Sequence, residues 1–179
     1  MIACILGKVT RNIICWKNRG KFKMVERAGS MIKKFDIRNT KNAKDLLTIQ
    51  IPSYKVEAEI IGYDDIPPLK DTVNTLKQCG ETFFGYYIKE ELCAAISVKV
   101  IDNEVDIHRL IVHPDHFRKG IAQKLLTFIE GQFDTMKITV ATGSKNSPAV
   151  TLYMKNGFRI TKEVQVNQYL SLTYFEKKI

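Results

Sequence analysis

Residues 82–131 allow few folds. Three apolar, β-prone runs, Thr82–Ile88, Leu92–Ile101 and Glu104–Val112, are separated only by Lys89-Glu90-Glu91 and by Asp102-Asn103. Gaps of two or three turn-forming residues suit hairpins, so the runs read as an antiparallel meander. A short loop follows, and Gly120 then opens a stretch in which Ile121, Leu125, Phe128 and Ile129 recur at helical spacing until Gly131. A meander that feeds directly into an amphipathic helix must bury one face of its sheet against that helix.

The flanking sequence completes the pattern. The string from Met31 to Asn39 alternates as a strand does. A first helix is predicted over Thr40–Gln50, with Thr40 as N-cap and Ala43, Leu46, Leu47 and Gln50 on successive turns. Pro52 is expected to restart the chain into a second helix that reaches about Ile61 and stops at Gly62. Two consecutive prolines make Tyr63–Lys70 a loop, and Asp71 is expected to cap a short helix through Lys77. Beyond Gly131 the sequence predicts a strand at Met136–Ala141, a helix at Pro148–Asn156 and strands at Phe158–Val164 and Gln168–Glu176. The fold class is α/β with a mixed sheet.

A chain of 179 residues suits one enzyme-sized domain. The net charge of +9 suggests a nucleic-acid partner until it is located. Residues 1–30 carry seven Lys or Arg against one acid, leaving 21 basic and 18 acidic side chains, or +3, on the other 149 residues. The globular part is therefore not notably basic, and nucleic acid is not expected as a partner. Residues 1–30 read as a basic arm for an anionic partner, as a loosely ordered extension, or as a stretch preceding a true start at Met31. The domain proper is taken as 31–179. Cys4, Cys15, Cys79 and Cys93 have neither zinc-site spacing nor disulfide-scaffold density, so no metal is expected. With no signal peptide and no apolar run near 18 residues, a cytoplasmic protein without a membrane partner is expected.

Chemistry concentrates where Val112 ends a strand and Gly120 opens a helix. The first backbone N–H groups of a helix lack intrahelical partners and carry the positive end of the macrodipole, so they attract anions. Gly120 and Ala122 are small enough for close approach, and Arg118 and Lys119 add positive charge. The Gly-Lys-Ser/Thr ending of a nucleoside triphosphate loop and the three-glycine dinucleotide fingerprint are both missing.

Leu110-Ile111-Val112-His113-Pro114, then Gly120-Ile121-Ala122 and Leu125-Leu126, resembles the signature of the GCN5-related N-acetyltransferases (GNAT). That family's pattern is Gln/Arg-x-x-Gly-x-Gly/Ala, and here Phe117 stands where Gln or Arg is preferred, with Arg118 one place later. A second stretch agrees: Asn146, Ala149, Leu152, Tyr153, Lys155, Gly157 and Phe158 match N-x-x-A-x-x-L-Y-x-K-x-G-F at every named position. Local physics fits this stretch, with Ser147 able to cap a helix that begins at Pro148 and Gly157 suited to the left-handed residue past its end.

The resemblance implies a GNAT fold, a mixed and largely antiparallel sheet flanked by helices with splayed central strands, and acetyl-CoA as co-substrate. It places the pantetheine arm against Leu110, Ile111 and Val112. The pyrophosphate falls on the backbone N–H groups of Arg118, Lys119, Gly120, Ile121 and Ala122, and Asn146 faces the pantetheine. Tyr153 becomes the acid that protonates the departing thiolate while also contacting the cofactor. The acceptor cleft is expected from Ser53–Lys70 and Val164–Tyr169, and backbone N–H of the splayed strand would stabilise the oxyanion.

An amine with a pKa near 10.4 must lose a proton before it attacks a thioester. Strict alternation puts Asp106, His108, Leu110 and Val112 on one face and Arg109 on the other, where it would anchor a carboxylate. His108 is thereby the candidate base, with Asp106 or water as alternatives. His113 and His116 read as surface loop residues. The expected activity is acetyl transfer to a primary amine of a small molecule or protein by a monomer or homodimer. The competing reading is a non-catalytic CoA-binding module on the same fold.

Overall fold

The computed structural model describes residues 30–179. Seven strands form one sheet in the order β1-β2-β3-β4-β5-β7-β6. They are β1 Ser30–Phe35, β2 Thr82–Ile88, β3 Glu91–Ile101, β4 Glu104–Val112, β5 Lys137–Gly143, β6 Arg159–Gln165 and β7 Ser171–Lys178. Only β4 and β5 pair in parallel; all other neighbours are antiparallel. The helices are α1 Thr40–Ile61, α2 Val73–Gln78, α3 Ile121–Glu130 and α4 Ser147–Lys155.

The meander forms where the spacing required it. Lys89 and Glu90, and again Asp102 and Asn103, have positive φ, the conformation that tight hairpins demand of their two central residues. Helices cover both faces. On one, Leu46, Tyr54 and Ile61 of α1 and Leu76 of α2 pack against Phe83, Ala95 and Ile111. On the other, Leu125 and Ile129 of α3 and Ala149 and Tyr153 of α4 pack against Ile96, Ile107, Leu110 and Val140.

Four expectations about helix ends are corrected. Pro52 does not divide the first helix, which runs unbroken over 22 residues. A proline inside a helix costs about 3 kcal/mol. Here Ala43, Leu46 and Ile49 before it and Tyr54, Ala58 and Ile61 after it enter the same core, and that joint burial outweighs the lost hydrogen bond. The cap of α1 is Asn39 rather than Thr40; its side chain accepts from the Lys41 and Asn42 N–H groups. Thr72, not Asp71, caps α2 in a reciprocal capping box with Thr75, which leaves Asp71 free for a distant partner. Asn146, not Ser147, caps α4 by accepting from the Ala149 N–H at 3.3 Å. Gly62 and Gly157 take the left-handed conformation past the ends of α1 and α4. The basic segment expected over residues 1–30 lies, except for Ser30, outside the described residues.

Candidate active site

The sheet opens at its centre. β4 and β5 pair from Glu104↔Lys137 to Ile107↔Val140 and no further, although β4 continues to Val112 and β5 to Gly143. The cause is a bulge. β3 pairs Ser97 with Arg109 and then Val98 with Ile107, so His108 is an extra residue on β4. A bulge bends its strand, and β5 cannot follow because β7 holds its other edge as far as Gly143↔Leu172. The segment 108–112 thus has no strand partner on the β5 side.

The same bulge corrects the expected faces of β4. Val105 and Ile107 share the α3/α4 core with Leu110 and Val112, because the extra residue shifts the alternation. Asp106, His108 and Arg109 all face the α1 side. There His108 Nδ1 lies 3.6 Å from Glu81 Oε1, and its Nε2 lies 3.4 Å from Asp106 Oδ2. Arg109 does anchor carboxylates, but beside His108 rather than across the sheet from it. Its Nε donates to Glu81 Oε2 at 2.9 Å and its Nη1 to Asp71 Oδ2 at 2.5 Å. Ser97 Oγ donates to Glu81 at 2.7 Å, and Gln50 Nε2 to Asp71 at 2.8 Å. Burial alone would raise the Glu81 carboxyl, but His108, the Arg109 guanidinium and Ser97 outweigh it and hold the group at about 2. Burial likewise opposes the charged form of His108, yet Asp106 and Glu81 raise it above the ordinary imidazole value. Sequence reasoning did not single out Glu81, which sits just outside the predicted strand and carries no motif.

Beyond β4 the chain turns through Pro114–His116, with His113 and His116 both partly exposed. Arg118 and Gly120 are left-handed, at φ 59 and 71°, and α3 begins with no side chain capping it. A Cβ on Gly120 would meet nothing within 4 Å, so glycine is favoured there by its backbone angle, and the space in front stays open. Arg118, Lys119 and Gly120 are exposed, while Ile121 and Ala122 turn into the core. Lys119 Nζ is held by the Asp115 carbonyl at 2.8 Å.

Asn146 and Tyr153 are fully buried at the other side of the opening. The Tyr153 ring packs against Phe158 and Phe175, with centroids 5.6 and 5.4 Å away. Asn146 Nδ2 lies 3.4 Å from Thr142 Oγ1, and Thr142 in turn lies 3.5 Å from Glu57 Oε1. Thr142 has the strand parity of Ile138 and Val140, which face α3 and α4, whereas Glu57 comes from α1 on the opposite face. Their contact therefore runs through the opening. Burial pushes the Glu57 carboxyl up to about 8, against lowering by the Asn146 amide and the Thr142 hydroxyl. Reading Pro52 as a break hid Glu57, because only a continuous helix places Gln50, Ser53 and Glu57 on one buried stripe.

The two segments expected to form an acceptor cleft touch. Tyr63 stacks on Tyr169 with centroids 6.4 Å apart, and Asn167 Nδ2 donates to the Tyr63 hydroxyl at 3.2 Å. Asp65 pairs with Lys70. A separate cavity of about 660 Å³, lined among others by Lys33, Asp45, Tyr87 and His113, contains none of the residues at the opening.

Residues 79–160, which include the bulged strand, the α3 loop and α4, match the model of the acetyltransferase (GNAT) domain. This stretch of the chain carries a GNAT-type acetyltransferase domain. Its fold is shared with solved GNAT structures. The ribosomal-protein-S18-alanine N-acetyltransferase from Escherichia coli aligns over 84% of this chain and 94% of its own, with TM-score 0.65 and 15% identity. The PaiA N-acetyltransferase from Thermoplasma acidophilum, solved in complex with coenzyme A, aligns over 85% and 100%, with TM-score 0.63 and 20% identity. YncA from Salmonella typhimurium, a putative acetyltransferase solved with acetyl-CoA, aligns over 84% and 94%, with TM-score 0.58 and 20% identity. At such identities the likeness concerns the fold. Among curated proteins, the chain is 42% identical over 134 residues to the UPF0157 protein YqkA of Bacillus subtilis (strain 168). The match covers 74% of this chain and 39% of that protein, so the chain spans about two fifths of the relative's length.

Proposed function

We propose that this protein transfers an acetyl group from acetyl-CoA to a primary amine. The observation that carries the reading is the opening between β4 and β5, whose mouth meets the uncapped, glycine-headed start of α3. A long thin ligand with amide groups suits an unpaired strand edge, and a pyrophosphate suits exposed N–H groups beside Arg118. The left-handed backbone at Arg118 and Gly120 and the empty space before Gly120 fit such a ligand. Two solved structures of this fold, those of PaiA and YncA, carry coenzyme A or acetyl-CoA.

Bound in this way, acetyl-CoA supplies the acyl thioester. Backbone groups of Leu110, Ile111 and Val112 hold its arm, N–H groups from Arg118 to Ala122 hold its pyrophosphate, and Asn146 orders the floor of the opening. Tyr153 donates to the sulfur as it leaves. His108 stands at the vertex of the opening with both ring nitrogens facing carboxylates, and it enters the proposal as the group that keeps Glu81 and Asp106 in place. The domain boundary at residue 31 and action in the cytoplasm are part of the same reading.

A thiol-release assay with acetyl-CoA against a panel of primary amines tests the proposal. Release of CoA thiol is expected with at least one amine, and Tyr153→Phe should lower that turnover by about 100-fold or more with little change in acetyl-CoA affinity. Acetyl-CoA binding without thiol release on any amine would support the non-catalytic module instead. Absence of acetyl-CoA binding would remove both readings.

A further inference from the structure

Resting on the acetyltransferase reading above, the geometry points to Glu57 as the catalytic base that takes the proton of the incoming amine, with Ser53 beside it as a second acceptor for the ammonium group. Ser53 and Glu57 lie one helical turn apart on α1, and both are fully buried. Among the described residues, Ser53 Oγ and Glu57 Oε2 are the buried side-chain polar atoms without any hydrogen-bond partner. Leaving such an atom unpaired costs about 1–3 kcal/mol. Two of them side by side mark a place that a donor-rich ligand completes. An ammonium group has three N–H donors and no acceptor, which is the complement of two orphaned oxygens.

Position strengthens the assignment. The Glu57 carboxyl reaches Thr142 through the opening between β4 and β5, so it lies where an acyl group on that path would be attacked. Tyr153 belongs to the core on the α3/α4 side. Base and acid thus stand on opposite sides of the sheet, as required when an amine arrives from one side and a thiolate departs to the other. His108 offers no comparable free nitrogen, since each of its two faces a carboxylate. The described groups that act on the Glu57 carboxyl are the Asn146 amide and the Thr142 hydroxyl, neither of them charged, and among the described residues it forms no ion pair. A base that titrates near the working pH combines availability with driving force.

Ionised Glu57 takes one proton from R–NH3+, giving R–NH2 and the neutral acid. The nitrogen lone pair then forms the C–N bond, the C–S bond breaks, and the sulfur receives a proton from Tyr153. Tyr153 recovers its proton from the second hydrogen that the nitrogen sheds, and Glu57 releases its own to solvent.

The test uses the full chain, acetyl-CoA and an amine that the panel identifies. Glu57→Gln should lower kcat by about 10²–10⁴-fold and abolish the limb of the wild-type pH–rate profile near pH 8, with acetyl-CoA affinity by calorimetry unchanged. Glu57→Asp should restore part of the rate and the limb. Infrared spectra should show a buried carboxylic-acid band that fades as pH rises through about 8 and is absent from E57Q. Wild-type turnover in E57Q, an unchanged pH limb, or a loss confined to acetyl-CoA binding overturns the assignment while leaving the acetyltransferase reading intact. A wild type that turns over no amine removes that reading, and the base with it.

Discussion

Arg109→Met is expected to lower the unfolding free energy by about 3–5 kcal/mol at pH 7, the cost of removing one partner from a buried ion pair. Arg109 is the hub of three elements. It binds Glu81 at the head of β2 and Asp71 at the entry to α2, and its Nη1 lies 3.4 Å from Gln50 Oε1 on α1. Only 5% of the Glu81 side chain and 16% of the Asp71 side chain are exposed. Methionine would fill the volume but leave two carboxylates in a dry site, and that uncompensated charge, rather than lost packing, dominates the effect. Neutralising the partners as well, with Glu81→Gln and Asp71→Asn, should recover much of the loss. Acid sensitivity follows from the same contacts. Because the folded Glu81 titrates at about 2, below its unfolded value of 4.5, its contribution is present above pH 4.5 and is lost as pH falls toward 2. In Arg109→Met, where the Glu81 carboxyl loses one of the groups that lower it, the acid-dependent loss should be smaller and complete at a higher pH. Urea unfolding measures both, and a stability loss below about 1 kcal/mol would show that the network is not the joint between helix and sheet described above.

Glu57→Gln should move stability in the opposite direction, by an amount that grows as pH rises from 4.5 to about 8. The folded pKa of Glu57 is raised from 4.5 to about 8, so its favourable contribution is complete below pH 4.5 and is lost progressively as pH rises from there through 8. At pH 9 the wild type must hold a buried carboxylate with few partners, whereas glutamine stays neutral. The variant is therefore expected to be more stable than the wild type at pH 9, on the order of 3 kcal/mol, and close to it at pH 5. Urea titrations at the two pH values decide this. Equal effects at both would mean that Glu57 does not sit neutral in the opening at rest.

Much of the scaffold was legible in the residues. The bounds of β2 and β4 agree with the apolar runs, because short polar gaps left the hairpins no freedom. The glycine-headed α3 and the Asn146–Phe158 motif were readable for a similar reason: each depends on residue types with narrow backbone roles. The caps were harder to read, since Asn39, Thr72 and Asn146 each stand next to another plausible capping residue. Which neighbour wins depends on where the first turn is held against the sheet. Pro52 misled because local propensity argued for a break while tertiary burial of one long stripe decided otherwise. The bulge at His108 leaves no residue signature, being a mismatch of length between β3 and β4, and it moved Asp106 and His108 from the face of Leu110 and Val112 to that of Arg109. Glu57 was obscured by both effects, lying beyond a misread proline and aimed through an opening created by an unseen bulge.

A crystal structure of the protein soaked with acetyl-CoA tests the central claim most directly. The account predicts density for the thioester arm between residues 108–112 of β4 and the part of β5 beyond Val140, with the pyrophosphate on the N–H groups of residues 118–122. Crystals that bind acetyl-CoA elsewhere, or that leave the opening between β4 and β5 empty at saturating ligand, would contradict it.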